Sequence, residues 1–219
     1  GPLGSAYPDY MFIPEGDTPT FLYLIQNGLG VPEHPEYGSW GGRYLLTDIS
    51  EDGLGSKHYS DACDKVVGKD GKLYQSNHAT IWRWRDAYQN DFAARIQWTL
   101  SPSLSSANHH PIINGSAGTS PIYISAEAGT TVTLDATGTY DPDGDELTYK
   151  WWQYRDPSAS QWATFFEVDG TKIENKDGSD KIVDVTLPPP EQCCVELLSR
   201  AAIAKGQVLH IILEVTDSG

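Results

Sequence analysis

In the stretch DPDGDELTYKWWQY, residues 141–154, an acidic turn leads directly into an alternating aromatic segment. Asp-Pro followed by Asp-Gly supplies a fixed φ and then a residue that tolerates positive φ, which is typical of a turn. The residues after it alternate with the period of two of a β-strand. The stretch therefore predicts a turn and a strand of a β-sheet.

The predicted strand has two unlike faces. Leu147, Tyr149 and Trp151 lie on one side, and this apolar set suits the core of a β-sandwich. Trp152 and Tyr154 lie on the other side, where aromatic rings can stack on the C–H faces of sugars. The same two rings can equally be buried beneath the N-terminal half of the chain. Both interpretations stay open on the sequence alone.

The acidic turn also has two interpretations. Asp141, Asp143 and Asp145 stand at positions 1, 3 and 5 of an EF-hand loop. Positions 6 and 12, however, are Glu146 and Trp152, where an EF-hand needs Gly and Glu. This excludes an EF-hand. A turn without metal explains the segment, and a Ca²⁺ ion held by the three carboxylates is the alternative.

Composition divides the chain into four parts. The first five residues, GPLGS, are expected to be a scar of tag removal. Residues 6–100 mix helix and loop signals, and residues 101–121 have the composition of a linker that leads to the first strand. Residues 122–219 alternate as short strands, which predicts a sandwich of roughly immunoglobulin kind. The expected fold class is mainly β, with a helical and loop segment before the sandwich.

Periodicity places the individual elements. A short helix is predicted at TPTFLYLIQNGLG (18–30), which has a Thr-Pro start and an Asn-Gly stop. A long helix is predicted at 79–100, with an apolar stripe at three- and four-residue spacing. The stripe consists of Ile81, Trp84, Tyr88, Phe92 and Ile96. Strands are predicted at 43–49, 122–129, 130–137, 146–154, 181–187 and 208–217.

The charge balance limits the partners. A formal net charge of -15 argues against nucleic acid and against an anionic membrane surface. No apolar run approaches the roughly 20 residues that span a bilayer. With 11% aromatic residues, 21 Gly and 14 Pro, the composition favours an extracellular, secreted protein.

The three cysteines, Cys63, Cys193 and Cys194, are too few for a disulfide scaffold, and their spacing fits no zinc motif. One bridge from Cys63 to either member of the pair would tie the two halves together, and three free thiols are the alternative. The glycine-rich loop SWGGRY (39–44) holds Trp40, Arg43 and Tyr44, which could contact a sugar or pack in the core.

Several segments together resemble one family, the cellulose-binding proteins with a nucleoside-hydrolase-like domain. They are EGDTPTFLYLIQNGLG (15–30), SWGGRY (39–44), YSDACD (59–64), ATIWRWRDAYQNDFAARIQWT (79–99), ANHHP (107–111), DPDGDELTYKWWQY (141–154) and HIILEVTD (210–217). The resemblance implies a secreted protein in which an α/β nucleoside-hydrolase-like domain precedes a sandwich similar to polycystic-kidney-disease-type and cadherin-like modules. This chain is then the C-terminal part.

The resemblance also implies a function. Nucleoside hydrolases hold Ca²⁺ with an aspartate cluster and one late aspartate before a helix, and Asp17 occupies an analogous place, although it can equally be a helix cap. The rest of that cluster is missing, so the fragment is not expected to hydrolyse nucleosides. The resemblance, with the aromatic residues Trp152, Tyr154 and Trp40, implies that it binds cellulose or a related polysaccharide without catalysis. The alternative is a structural remnant of an enzyme that cleaves N-glycosidic bonds in its full-length form.

Overall fold

The structure is a computed structural model that describes residues 21–48, 57–115, 120–158, 161–163, 166–167, 170–195, 199, 201–203 and 206–218. Asp17 and the start of the predicted helix 18–30 lie outside these residues. At the helix's end, Leu24 N donates to Phe21 O (2.9 Å) and Ile25 N to Leu22 O (3.3 Å). No helix within these ranges has the length and apolar character of a membrane span.

After the helix end at residues 21–22 and a 3-10 turn at Pro35–Tyr37, the described part of the N-terminal half contains two strand pairs and two further helices. In chain order they are β1 (Tyr44–Thr47), β2 (His58–Asp61), β3 (Asp64–Val67), β4 (Leu73–Ser76), α1 (Ala79–Trp82) and α2 (Arg85–Trp98). β1 pairs with β2 and β3 pairs with β4, both antiparallel. The strand predicted at 43–49 is thereby confirmed.

The C-terminal half is built mainly from strands. They are β5 (Thr131–Asp135), β6 (Thr148–Tyr154), β7 (Gln161–Ala163), β8 (Phe166–Glu167), β9 (Lys172–Asn175), β10 (Ile182–Thr186) and, after helix α3 (Pro190–Cys193), β11 (His210–Thr216). One antiparallel sheet has the order β5-β10-β9, and β6 pairs with β11 along its full length. The expected mainly-β class is confirmed.

The strand predicted at 122–129 is wrong. The described structure assigns no strand there, and Ile122 and Tyr123 are both 71% exposed. Alternation alone does not make a strand, because the backbone donors and acceptors need a neighbouring strand as partner. The four other strands predicted for this half coincide with β5, β6, β10 and β11.

The helix predicted at 79–100 forms with a break. Trp84 has φ -99° and ψ 4°, so the chain leaves helical geometry between α1 and α2. Trp84 and Tyr88 are buried, as the predicted stripe requires, but Phe92 is 62% and Ile96 48% exposed. The apolar stripe is therefore a core face only in its first part.

The core joins the two halves of the chain. Trp84, Tyr88 and Tyr154 form its buried centre. The half-buried side chains packed against them are Leu22, Leu29, Trp40, Ile81, Trp152 and Ile212. The N-terminal half thus covers the face of β6 that carries Trp152 and Tyr154. On the opposite face, Trp151 Nε1 donates to Asp180 O (2.9 Å), next to β10.

The cysteines are free thiols, so a bridge from Cys63 is not supported. Cys63 is exposed, whereas Cys193 is buried and its Sγ lies 2.9 Å from Cys194 Sγ. A disulfide needs about 2.05 Å between its sulfur atoms, so this pair is not bonded either. Burial, followed by the contact with Cys194, raises the pKa of Cys193 to about 12. Its thiol is therefore protonated at neutral pH.

Candidate functional site

A buried carboxylate lies where the two halves meet. Asp64, at the start of β3, is fully buried and accepts hydrogen bonds at both of its oxygens. Arg43 Nε donates to Oδ1 at 2.8 Å, and Tyr154 Oη donates to Oδ2 at 2.6 Å. Arg83 Nε lies 3.0 Å from Oδ2, in ion-pair contact but outside hydrogen-bond geometry. Two guanidinium groups thus neutralise one carboxylate.

The second guanidinium is held by further contacts. Arg83 Nη2 donates to Asp156 Oδ2 at 2.7 Å, and Asp156 Oδ1 accepts from Lys65 N at 2.8 Å. The Arg83 Cζ lies 4.2 Å from the centre of the Tyr154 ring, a cation–π contact. Burial raises the pKa of the Tyr154 phenol well above its usual range, so it remains a proton donor to Asp64. The arrangement is a buried electrostatic network that engages both oxygens of Asp64 and both oxygens of Asp156.

This network corrects two predicted sugar contacts. Tyr154 is 1% and Arg43 8% exposed, so neither offers a surface on which a sugar could lie. The physical reason is that both side chains donate hydrogen bonds to Asp64. Asp64 is 90 positions from Tyr154 and 21 positions from Arg43 in the sequence.

The other three predicted sugar contacts are half-buried. The Trp152 ring lies 5.6 Å from the Trp84 ring, and its Nε1 donates to Glu214 Oε2 at 3.0 Å. Trp40 packs against the same core, and Tyr44 Oη donates to Gly41 O at 2.7 Å. Their part in sugar binding stays a prediction.

The predicted acidic site is brought together in space. One oxygen from each of Asp141, Asp143 and Asp145 lies within 4.8 Å of the others. Oδ2 of Asp141 is buried and has no hydrogen-bond partner among the described residues. The Asp143 carboxylate is partly occupied, because it accepts from His109 N at 2.7 Å and lies 3.0 Å from the His109 ring Nδ1. Ligands of Ca²⁺ lie 2.3–2.6 Å from the ion, so such oxygen separations fit this cation.

Folding disfavours the ionised form of one carboxyl group in this loop, that of Asp145. Desolvation first, and then the carboxylates of Asp141, Asp217 and Asp143, raise the pKa of Asp145. A carboxyl whose pKa is raised by folding binds its proton more tightly in the folded state. Its contribution therefore destabilises the fold as the pH rises through and above the ordinary Asp range. A cation at the loop would offset this repulsion.

An exposed pair of aromatic rings lies on another part of the N-terminal half. Tyr74 in β4 is 38% exposed and Trp82 at the end of α1 is 42% exposed. Their ring centres are 5.8 Å apart and their planes meet at 81°. Sequence analysis did not single out this pair. The signal was present, because helical spacing places Trp82 off the apolar stripe that carries Trp84.

Two models of known protein families match the two ends of the chain. A family model described as "Cellulose-binding protein Sde0182, C-terminal domain" matches residues 131–219. A second, described as "Cellulose-binding Sde182, nucleoside hydrolase-like domain", matches residues 1–44. A search of curated proteins finds no match.

A solved structure is similar over the whole chain. It is a nucleoside hydrolase-related hypothetical protein from Saccharophagus degradans that is associated with carbohydrate metabolism. The identity is 30% and the TM-score 0.65, and the match covers 100% of this chain and 47% of that one. This chain thus spans about half the length of the solved relative. Residues 1–44 and 131–219 are thus similar to the two domains of Sde0182-type cellulose-binding proteins, and the whole chain is similar in structure to the solved relative.

Proposed function

We propose that this chain binds cellulose or a related plant polysaccharide and does not cleave it. The family description supports the ligand class. Aromatic rings on the protein surface carry the proposal, because sugars present C–H groups that pack on such rings. Exposed rings in the described ranges include Tyr59 (51%), Tyr74 (38%), Trp82 (42%), Tyr123 (71%) and Tyr140 (53%). An extracellular location suits this ligand and belongs to the same proposal.

The buried carboxylate of Asp64 is excluded as a catalytic group. Glycoside hydrolysis usually needs two carboxyl groups beside the scissile bond, one of them free to donate a proton. Asp64 is the one fully buried carboxylate in the described part of the chain, and Arg43 and Tyr154 engage both of its oxygens. Such a group can neither attack a sugar nor protonate a leaving oxygen.

Architecture supports a binding module as well. We infer that the β5-β10-β9 sheet and the β6-β11 pair face each other as an immunoglobulin-like sandwich, of which Trp151 bonded to Asp180 is one link. The Lys181 Nζ lies 5.6 Å from the Tyr149 ring, which brings the same face of β6 close to the approach to β10. Residues 6–100 then form the end of a nucleoside-hydrolase-like domain.

A retention assay tests the function. The purified chain is mixed with amorphous cellulose, microcrystalline cellulose, xylan and chitin, and the unbound fraction is measured beside an albumin control. We expect retention on at least one glucan, with no reducing sugar released during long incubation. Release of reducing ends would contradict the non-catalytic part of the proposal.

The second candidate function is support of a nucleoside-hydrolase-like domain in a longer protein. It is favoured by the match of residues 1–44 to that domain and by the exposed Phe92 and Ile96 on α2. Apolar side chains so exposed are typical of a surface that another domain covers. Lack of retention on all four polymers would favour this candidate over polysaccharide binding.

We also propose that the acidic loop holds Ca²⁺. Millimolar Ca²⁺ is expected to raise the midpoint of thermal unfolding above that in EDTA, because an ion that binds only the folded state stabilises it, by about 2.7 kcal/mol at 100 times its dissociation constant. Asp141→Asn is expected to abolish the rise, since it removes the charge of the carboxylate whose Oδ2 has no partner among the described residues. Asp86→Asn, at a 74% exposed carboxylate, is the matched control. An equal rise in both variants would place the ion elsewhere.

A further inference from the structure

Tyr74 and Trp82 form a corner on the protein surface, and we call these two residues the aromatic corner. Tyr74 lies opposite Val66 in the β3–β4 pair, and Trp82 ends the short helix that follows β4. The His78 ring lies 6.2 Å from the Trp82 ring at an angle of 56°. Tyr74 and Trp82 thus come from two short elements whose facing ends are three positions apart, and His78 lies in the connection between them.

The Tyr74 ring is held in place before any ligand arrives. A Cβ at Gly68 would lie 2.8 Å from Tyr74 Cε2, so the ring lies directly against the backbone of this turn. Tyr74 Oη donates to Asp70 Oδ2 at 2.9 Å, and Asp70 Oδ1 accepts from Lys72 N at 3.1 Å. A side chain fixed in this way loses little rotational freedom on binding, which favours affinity.

Polar groups border the corner. The Asp70 carboxylate is at the hydroxyl end of Tyr74, and His78 is exposed beside Trp82. Next to His78 in sequence, Asn77 Nδ2 donates to Asp61 Oδ2 at 3.1 Å. Rings with a few placed donors and acceptors are the usual composition of a site for a ligand that is apolar on its faces and polar on its edges. A pyranose in β-linkage has this distribution, with C–H groups on its faces and hydroxyls around its rim.

We propose that the aromatic corner is the polysaccharide site and that it takes a single β-glucan chain. This inference rests on the proposed function and names the surface that performs it. Planes that meet at 81° cannot both lie flat against a sheet of parallel chains, as two coplanar rings could. Because the two rings touch edge to face, a sugar residue can stack on the exposed face of one ring while its edge meets the rim of the other. Disordered cellulose offers such separate chains.

Other exposed rings suit this ligand less well. Tyr123 is 71% exposed and lies in a segment for which the described structure assigns no strand. Trp152 and Trp40 are half-buried against the core. The aromatic corner combines exposure, a fixed ring and neighbouring polar groups at one place.

The test measures binding of cellohexaose by isothermal titration calorimetry for the unchanged chain and four variants. Trp82→Ala and Tyr74→Ala are each expected to weaken binding by about tenfold or more, as truncation of a central aromatic contact does. Trp82→Phe keeps a ring and is expected to stay within about fivefold of the unchanged chain. Phe92→Ala, which removes a 62% exposed ring from α2, is expected to have no effect.

Each outcome has a distinct meaning. If the unchanged chain binds and Trp82→Ala and Tyr74→Ala bind equally well, the corner is not the site, although the proposed function stands. If the unchanged chain binds no glucan, the proposed function itself fails. Thermal unfolding of each variant detects misfolding. If the alanine variants are misfolded, the affinity of Trp82→Phe is compared with that of the unchanged chain instead. If the unchanged chain is a dimer that Trp82→Ala dissociates, the corner is a contact between copies and the inference is overturned.

Retention on two forms of cellulose tests whether the aromatic corner takes a single glucan chain. Retention on amorphous cellulose is expected to exceed retention on microcrystalline cellulose at equal mass of polymer, and free cellohexaose is expected to compete. Equal retention on both polymers, corrected for accessible surface, would overturn the single-chain part of the inference.

Discussion

Asp64→Asn is expected to lower the free energy of unfolding by about 3–5 kcal/mol, because it removes the charge that two buried guanidinium groups share. Arg43 and Arg83 have side chains only 8% and 9% exposed, so water cannot replace the lost partner. Asparagine has the shape of aspartate but cannot neutralise either cation. Urea denaturation measures the change, and the midpoint of thermal unfolding is expected to fall by roughly 10 °C for a chain of this size.

The matched control removes a carboxylate that also pairs with a cation but lies in water. Asp86→Asn breaks an ion pair with Lys69 at 3.0 Å, whose side chains are 75% (Lys69) and 74% (Asp86) exposed. Exposed pairs of this kind contribute at most about 1 kcal/mol. If Asp64→Asn cost no more than Asp86→Asn, the buried network would not be a main source of stability.

The position of this network explains why its loss is costly for the whole chain. Asp64 and Arg83 come from the N-terminal half, whereas Tyr154 and Asp156 come from the C-terminal half. If the halves separate, Arg83 loses its ion pair with Asp156, and Asp64 loses the hydrogen bond from Tyr154. We expect the two halves to unfold in one transition rather than in two.

Local patterns predicted much of the fold. The period of two located β6, β10 and β11, because a strand's side chains alternate whatever its partner is. The same pattern was wrong at 122–129, where pairing is missing in the described structure. The break at Trp84 was not predictable either, since helical spacing continues unbroken through it. Strand pairing and helix breaks depend on groups that are distant in sequence, and the periodicity of one segment carries no information about them.

The candidate sites divide in the same way. The three aspartates of the acidic loop are two residues apart, so a turn alone brings their oxygens together. Alternation correctly placed Trp152 and Tyr154 on one face of β6, but it could not tell which part of the chain covers that face. The partner of Tyr154 is Asp64, 90 positions away. Such a contact follows from tertiary packing and leaves no local signal.

Gly38→Ala is expected to lower the free energy of unfolding by about 2–5 kcal/mol, the sum of a backbone cost and a packing cost. Gly38 has φ 91° and ψ 163°, a combination that is open almost exclusively to glycine. A Cβ at this position would also lie 2.9 Å from Tyr154 Oη and 3.1 Å from Tyr154 Cε1. Because the Tyr154 hydroxyl is bonded to Asp64, the ring cannot move aside without breaking that bond.

Two further variants separate these costs. Gly71 has φ 76° and nothing within 4 Å of an added Cβ, so Gly71→Ala carries only the backbone cost of about 1–2 kcal/mol. Tyr154→Phe removes the oxygen that the added Cβ would strike, so Gly38→Ala is expected to cost less in that background, by roughly 1 kcal/mol or more. Urea denaturation of the single and double variants gives this coupling energy. A coupling of zero, with Gly38→Ala no worse than Gly71→Ala, would mean that the ring yields freely. The contact between the loop before β1 and the end of β6 would then not hold the two halves in register.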